Sequence, residues 1–419
     1  MAPYNYLGIK FFETMSKIIF KLSIFSFLLN LYSTSSYAEN LKYSDITLDH
    51  YLEIVRENNS TISSAKLDVQ TADANIKAQA LYNFSPSISY SRGSWINQVP
   101  YAPYNQPQSN TYSFNFNLEA LGKRSAREEL ARTQRDASEL QLQSSVATLE
   151  IAAIDAYIDA LRLCLVERTY EQALSKLSQL GSKDELESPL VKNIKNKIKA
   201  TQKDLMYSSL NLLNYSGDAI HNLPYPQGSL RYPAQNYDVE QLIAEGQSNR
   251  RDLKNLQASI NVAEKNIVLT NENRNVDLST YVAQTRTPQY NDSGLTYTTQ
   301  NSISAGVTIP IPASNYLQSA DLVKSSNQKL QYEMQLRDLK SQIRVQILQA
   351  YLQYEEAKTL LLSSDAAYRD ALKKTYKSKI QQIAELRDVQ GALLDAQTNH
   401  LKALIFLWRQ SGNYSVPNL

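Results

Sequence analysis

The sequence predicts a mainly α-helical fold with a small β part, built from long helical hairpins and four strands. Three observations point there. Only 11 of 419 residues are glycine, well under the average usage of about 7%. Apart from Pro3 and Pro417, the prolines fall in three clusters, residues 86–107, 189–233 and 288–312, with long stretches free of helix breakers between them. Two short segments, Tyr112–Leu118 and Ile303–Ile309, alternate between apolar and small polar residues, and Ile88 with Tyr90, and Leu278 with Thr280 and Val282, mark a partner strand for each.

Taken in order, residues Met15 to Ala38 read as a secretory signal peptide. Lys17 and Lys21 form a charged start, Ile18 to Leu31 an apolar run, and Ser36-Tyr37-Ala38 a small-residue cleavage site, with cleavage expected before Glu39. Met15 is the expected start, and residues 1–38 form an N-terminal extension plus signal. Ser23, Ser26 and Asn30 interrupt the apolar run, which is too short for a membrane anchor. Residue 39 is Glu rather than Cys, so no lipid anchor is expected there.

Removing residues 1–38 takes out Lys10, Lys17, Lys21 and Glu13 and leaves basic and acidic residues in balance. A neutral chain lacks the basic footprint of a nucleic-acid binder. Cys164 is alone between two leucines, so no intrachain disulfide is available and a buried helical thiol is expected.

Helices are expected over about Leu48–Tyr82 and Asp238–Asn273. Two much longer ones run from Lys123 to about Leu180 and from about Ser314 to Lys379. Leu149, Ala152, Ala156, Ala160 and Leu163 recur at steps of three and four, as do Leu339, Ile343, Ile347, Ala350, Tyr354, Ala357 and Leu361. That is the stripe of a helix packed in a bundle or coiled coil. Some 60 residues rise roughly 90 Å, against a usual helix of about 11–12 residues. Sharp turns near Gly181–Pro189 and Lys377–Ile383 return the chain through second helices ending near Tyr215 and Gln410.

The strands are expected at about 85–98, 108–119, 276–287 and 299–311. Tyr112, Phe114, Phe116 and Leu118 alternate with small polar residues, as do Ile303, Ala305, Val307 and Ile309. Period-two alternation gives one apolar and one polar face, and the length suits a tilted membrane strand. Residues 93–111 and 287–300, rich in Tyr, Asn, Gln and Pro, read as rim loops.

The order of elements repeats. Ser60–Ile76 aligns without gaps on Arg251–Ile267, pairing Ala72 with Ala263, Asn75 with Asn266 and Ile76 with Ile267. Ala156-Tyr157-Ile158 aligns on Ala350-Tyr351-Leu352, and Leu213–Gly217 on Trp408–Gly412. Residues 39–217 and 238–419 are therefore expected as two structural repeats, joined by a proline-containing connector over 218–237.

Four strands cannot close a barrel, since the smallest known barrels have eight, and an open sheet edge has no hydrogen-bond partner in lipid. A membrane role thus demands oligomerisation: two chains give eight strands and a filled interior, three give twelve. Catalysis finds no support. His50, His221 and His400 lie far apart without metal-ligand spacing, and neither a phosphate-binding glycine loop nor a nucleophile elbow occurs. No cofactor and no metal are expected, and the chain is not read as an enzyme.

The duplicated helix–strand–strand–helical-hairpin order resembles the TolC family of outer-membrane efflux and secretion channels, over essentially all of residues 39–419. Tyr376–Gln390 resembles family text of the form Tyr-x-x-Gly … Asp-x-x-x-Ala-Gln, and Leu394-Asp395-Ala396-Gln397 follows. The resemblance implies a homotrimer in the cell outer membrane: a shared 12-stranded transmembrane β-barrel in lipid above a periplasmic α-helical tunnel. It further implies a passive exit duct for a tripartite efflux or type I secretion system, with a periplasmic adaptor (membrane fusion) protein and an inner-membrane pump as partners.

In the family, tyrosine, basic and acidic residues close the periplasmic tip. Matched from Tyr376, Glu385 and Asp388 fall at the acidic pore positions, while Lys379 stands at the usual glycine and Gln381 at the usual basic residue. Glu385 and Asp388 are three apart and share a helix face. Threefold symmetry makes them carboxylate rings that bind and favour cations; read without the family, they are solvated helix charges. Gly181, Lys183, Asp184, Lys377 and Lys379 are the expected adaptor-docking tips. A secreted coiled-coil structural or adhesive protein is the alternative, and it leaves the recurring strand pairs unexplained.

Overall fold

The structure, a computed structural model, describes residues 43–82, 86–94, 108–180, 189–217, 220–290, 297–309, 319–376 and 378–419. The signal peptide, its cleavage site and Met15 lie outside the described residues. The chain runs β1 (Tyr43–Ile46), α1 (Leu48–Asn58), α2 (Ser60–Gln79), β2 (Ser87–Ser94), β3 (Gln108–Leu118), α3 (Lys123–Leu180) and α4 (Pro189–Ser216). It continues with β4 (Leu223–Pro226), α5 (Val239–Asn249), α6 (Arg251–Glu272), β5 (Leu278–Tyr290), β6 (Tyr297–Thr308), α7 (Ser319–Lys373) and α8 (Lys379–Gln410).

The long helices α3 and α7 have 58 and 55 residues and rise roughly 80–90 Å. Each is matched on one side by two shorter helices set end to end. α2 and α4 both pack on α3, and α6 and α8 both pack on α7. α3 also touches α6 and α8, which joins the two hairpins into one wall. The stripe on α7 is the packed face: Ile343, Ile347, Ala350 and Tyr354 are fully buried. Alanines at Ala153, Ala156 and Ala160 let neighbours approach α3 closely.

The helices expected over 48–82 and 238–273 are each broken, at Asn59 and Arg250, because each break is a junction with the end of another helix. At Asn59 the side-chain oxygen accepts from Thr61 N at 2.9 Å, while its amide donates to Tyr215 O of α4 at 3.0 Å. Gly217 ends α4 at φ +63°, and a Cβ there would lie 3.1 Å from Asn58 O. The second junction copies the first. Gly412 (φ +79°) abuts Arg250 N, and Arg250 donates to Gln410 of α8 at 3.0 Å. Glycine serves both C-termini because the left-handed conformation there admits no Cβ cheaply.

Two elements depart from expectation. Residues 218–237 are more than a connector: β4 pairs parallel with β1, from Tyr43↔Leu223 to Ile46↔Pro226. The turn of the second hairpin is also shorter than 377–383, since α8 begins at Lys379 with Ser378 as its cap. Pro189 opens α4 rather than closing the turn, a position where its missing N–H costs nothing.

Two buried tyrosines fasten this layer. Tyr157 Oη lies 2.8 Å from both Ile46 O and Gln227 O and accepts from Gln227 N at 3.1 Å. Tyr354 Oη donates to Gln235 O at 2.8 Å and accepts from Gln235 N at 2.9 Å. The structural counterpart of Tyr157 is thus Tyr354, three residues beyond the Tyr351 that the sequence alignment pairs with it. Cys164 is buried beside this layer, and burial pushes its thiol up to about 12, so it is chemically inert at neutral pH.

His400 is fully buried in α8 against the Tyr354 ring, and neither of its ring nitrogens has a hydrogen-bond partner among the described residues. Burial, then the nearby Lys358, holds its pKa below the ordinary 6.5. The unfolded chain therefore takes up this proton first, so the associated stability is complete above about pH 6.5 and declines as pH falls below it. Thermal unfolding of the wild type and His400→Leu between pH 5 and 8 checks this: the acid-side loss should shrink in the variant. An unaltered pH profile refutes the assignment.

Candidate channel wall and gate

Strands β2, β3, β5 and β6 form one antiparallel sheet in that order. Both hairpins are thus fused through β3–β5, and β2 and β6 are its two free edges among the described residues. β5 and β6 run about three and two residues further toward their hairpin than expected, to Tyr290 and from Tyr297, and the supposed rim loops overlap the ladder at Gly93–Ser94, Gln108–Thr111, Thr287–Tyr290 and Tyr297–Gln300.

The register sorts the sheet into two chemically different faces. On one lie Ile88, Tyr90, Tyr112, Phe114, Phe116, Leu118, Leu278, Val282, Ile303 and Val307, brought into line by the pairs Ile88↔Phe114, Phe114↔Val282 and Val282↔Ala305. All but the half-buried Phe116 are exposed on a single chain: Ile88 is 82% and Ile303 78% accessible. The other face carries Ser, Thr, Asn and Gln, joined by Ser89–Ser113, Thr111–Thr285 and Ser279–Asn117 hydrogen bonds. Its one aromatic among the described positions, Tyr281, lies over Gly306, where a Cβ would sit 2.5 Å from the ring. An apolar outer face and a hydroxyl- and amide-lined inner face are what a water-filled membrane barrel requires.

At the opposite end of the helices, the tip of the second hairpin gathers the candidate gate. Tyr376 Oη donates to Ala371 O at 2.9 Å. Lys374 Nζ donates to Glu385 Oε1 at 2.6 Å and lies 5.4 Å from the Tyr376 ring. That carboxylate raises the Lys374 pKa. Asp388 does not join them; it is exposed and held by its neighbour Arg387, at 2.6 Å. Arg387 is itself packed over the Tyr170 ring of α3. Ile380 and Ile383 pack on Leu177, Val191 and Ile194, tying the tip of α8 to α3 and α4.

Sequence reasoning named Tyr376, Glu385 and Asp388 and missed their basic partners Lys374 and Arg387. Lys374 stands 11 residues before Glu385, a spacing that becomes a contact only once the short turn is known. Lys379 is exposed at the start of α8. Gly181, Lys183, Asp184 and Lys377 lie outside the described residues.

No family model matches the sequence, and no curated protein does. Solved structures do match in fold. The outer membrane protein VceC from Vibrio cholerae is 15% identical, with 87% of this chain and 96% of that one covered and a TM-score of 0.57. The outer-membrane channel OprN is 14% identical, covering 87% and 90% at a TM-score of 0.62. The Campylobacter jejuni CmeC outer membrane channel is 13% identical, covering 87% and 85% at a TM-score of 0.60.

Proposed function

We infer that this chain, having the fold of the TolC-like outer-membrane channels, is one subunit of such a channel: three copies pool their strands into a 12-stranded barrel and their helices into a periplasmic tunnel. The observation that carries this reading is the four-stranded sheet with two free edges among the described residues and one predominantly apolar face, set at the end of helices roughly 80–90 Å long. Free edges in hydrocarbon would leave backbone groups without partners. Closure by identical copies supplies those partners. Three copies leave an open lumen where two would fill it with side chains.

The duct is passive and not an enzyme. Its barrel wall offers hydroxyls and amides, so passage there depends on width, and regulation belongs to the tip. Glu385 and Asp388 repeat around the threefold axis as carboxylate rings, each accompanied by Lys374 or Arg387. The tips, with Lys379 exposed and Gly181, Lys183, Asp184 and Lys377 beside the turns in sequence, dock a periplasmic adaptor tied to an inner-membrane pump. Cargo, whether small toxic compounds or a secreted protein, is chosen by the pump.

A test follows from the charge balance. Glu385→Ala with Asp388→Ala leaves Lys374 and Arg387 unpaired, so the purified channel in planar bilayers should lose cation block and shift its ion preference toward anions. An unchanged reversal potential across a salt gradient excludes these two residues from the lumen. Recovery of the mature protein as a soluble monomer outside the envelope would favour the secreted coiled-coil alternative.

A further inference from the structure

Arg92 and Arg286 are the only charged residues in the four barrel strands. They fall in one row: Arg92 pairs with Asn110, Asn110 with Arg286, and Arg286 with Asn301. By the two-residue period this row shares the apolar face. It lies one step past the Tyr90–Tyr112–Gln284–Ile303 row, toward the hairpin ends and away from the helices. Both arginines are exposed, and neither has an ion pair among the described residues. With strands about 4.8 Å apart, their backbones stand roughly 10 Å from each other.

The rows beneath explain the position. From Leu118 and Leu278 to the arginine row is eight residues, about 27 Å along a strand and roughly 20 Å along the barrel axis at a tilt near 40°. The arginines therefore sit at the outer edge of the hydrocarbon, where the cost of a lipid-facing cation has fallen close to zero. Tyr90 and Tyr112, ring centroids 5.0 Å apart, form an aromatic girdle just inside. The Tyr90 hydroxyl donates to Asn110 Oδ1 at 2.9 Å, so its polar end points into the arginine row. The helical end of the sheet is built differently. There Lys123 is paired with Asp277 at 2.9 Å and Arg127 with Glu119 at 2.5 Å. Lys123 and Arg127 at the lower boundary thus have carboxylate partners, and Arg92 and Arg286 at the upper boundary have none among the described residues.

We propose that Arg92, Asn110 and Arg286 form a site on the barrel's outer wall for the phosphate groups of an anionic lipid in the outer leaflet, whose acyl chains lie on the apolar band below. Guanidinium forks match phosphate oxygens, and Asn110 supplies a neutral contact between them. This rests on the barrel reading above.

The test uses the full mature protein in phosphatidylcholine vesicles containing a bis-phosphorylated glycolipid (lipid A) or its dephosphorylated form, with retained glycolipid counted by native mass spectrometry. The wild type should retain the phosphorylated form preferentially. Arg92→Gln with Arg286→Gln should bind it about fivefold more weakly per arginine removed, and Arg→Lys at both sites should keep part of the preference. Equal retention by the Gln double variant, or equal retention of the two glycolipids by the wild type, overturns the proposal. If the variant fails to assemble, the wild-type comparison of the two glycolipids decides alone. A wild type that forms no vesicle-embedded oligomer removes the barrel reading itself, and this proposal with it.

Discussion

Val282→Lys should prevent stable assembly in the outer membrane, whereas Ser304→Lys should leave it intact. Val282 stands mid-band on the apolar face, aligned with Phe114 and Ala305, and is 47% accessible on a single chain. A lysine facing lipid at that depth costs about 2–4 kcal/mol per copy, so roughly 6–12 kcal/mol in a trimer, comparable to the whole stability of a domain. Ser304 pairs with Ala283 on the opposite face, where a lysine reaches water. The two variants differ by one step of register, so ordinary disruption of a strand cannot separate them. A heat-dissociable oligomer band from detergent-extracted outer membrane is the measurement. Equal tolerance of both lysines, or failure of Ser304→Lys alone, would mean that the faces are assigned the wrong way round.

Tyr157→Phe is expected to cost about 2–4 kcal/mol, because it strands several buried backbone groups at once. The hydroxyl serves Ile46 O, Gln227 O and Gln227 N, and each unsatisfied buried group costs about 1–3 kcal/mol. Gln227 N keeps a bond to Ile46 O at 2.9 Å, which caps the loss. Tyr354→Phe should behave alike through Gln235, while the exposed Tyr207→Phe should stay within about 0.5 kcal/mol. Denaturant unfolding of the solubilised protein, followed by helix signal, checks the order. Phenylalanine tolerated at both positions would mean that the tyrosines do not hold the connector.

Much of this fold was legible because its signals are long or strictly periodic. The stripe from Ile343 to Ala357 and the alternation from Tyr112 to Leu118 leave little freedom to the chain. The helix breaks were harder. Asn59 is a strong capping residue and was a readable hint, but Arg250 carries no such preference, and its break exists only because Gly412 arrives there from elsewhere. The β1–β4 pair is four residues long and joins segments some 180 residues apart, with prolines at Pro224 and Pro226; nothing local announces it. The slip from Tyr351 to Tyr354 reflects a helix whose alanine-rich stripe admits steps of three or four equally well. At the tip, Tyr376, Glu385 and Asp388 could be named from the pattern, but the meeting of Lys374 with Glu385 was set by a turn shorter than the sequence suggested, while Asp388 takes its neighbour Arg387.

The end-to-end seams at Asn59–Gly217 and Arg250–Gly412 have a mechanical meaning. A continuous helix transmits bending and twist along its whole length; two helices meeting through one glycine and a few side-chain bonds transmit compression well and torque poorly. α4 and α8 are therefore expected to turn about α3 and α7 more easily than they would as continuations of α2 and α6. In the proposed channel such a wall would act as a stiff mast with a swivel at mid-height, so that motion at the mouth need not strain the barrel.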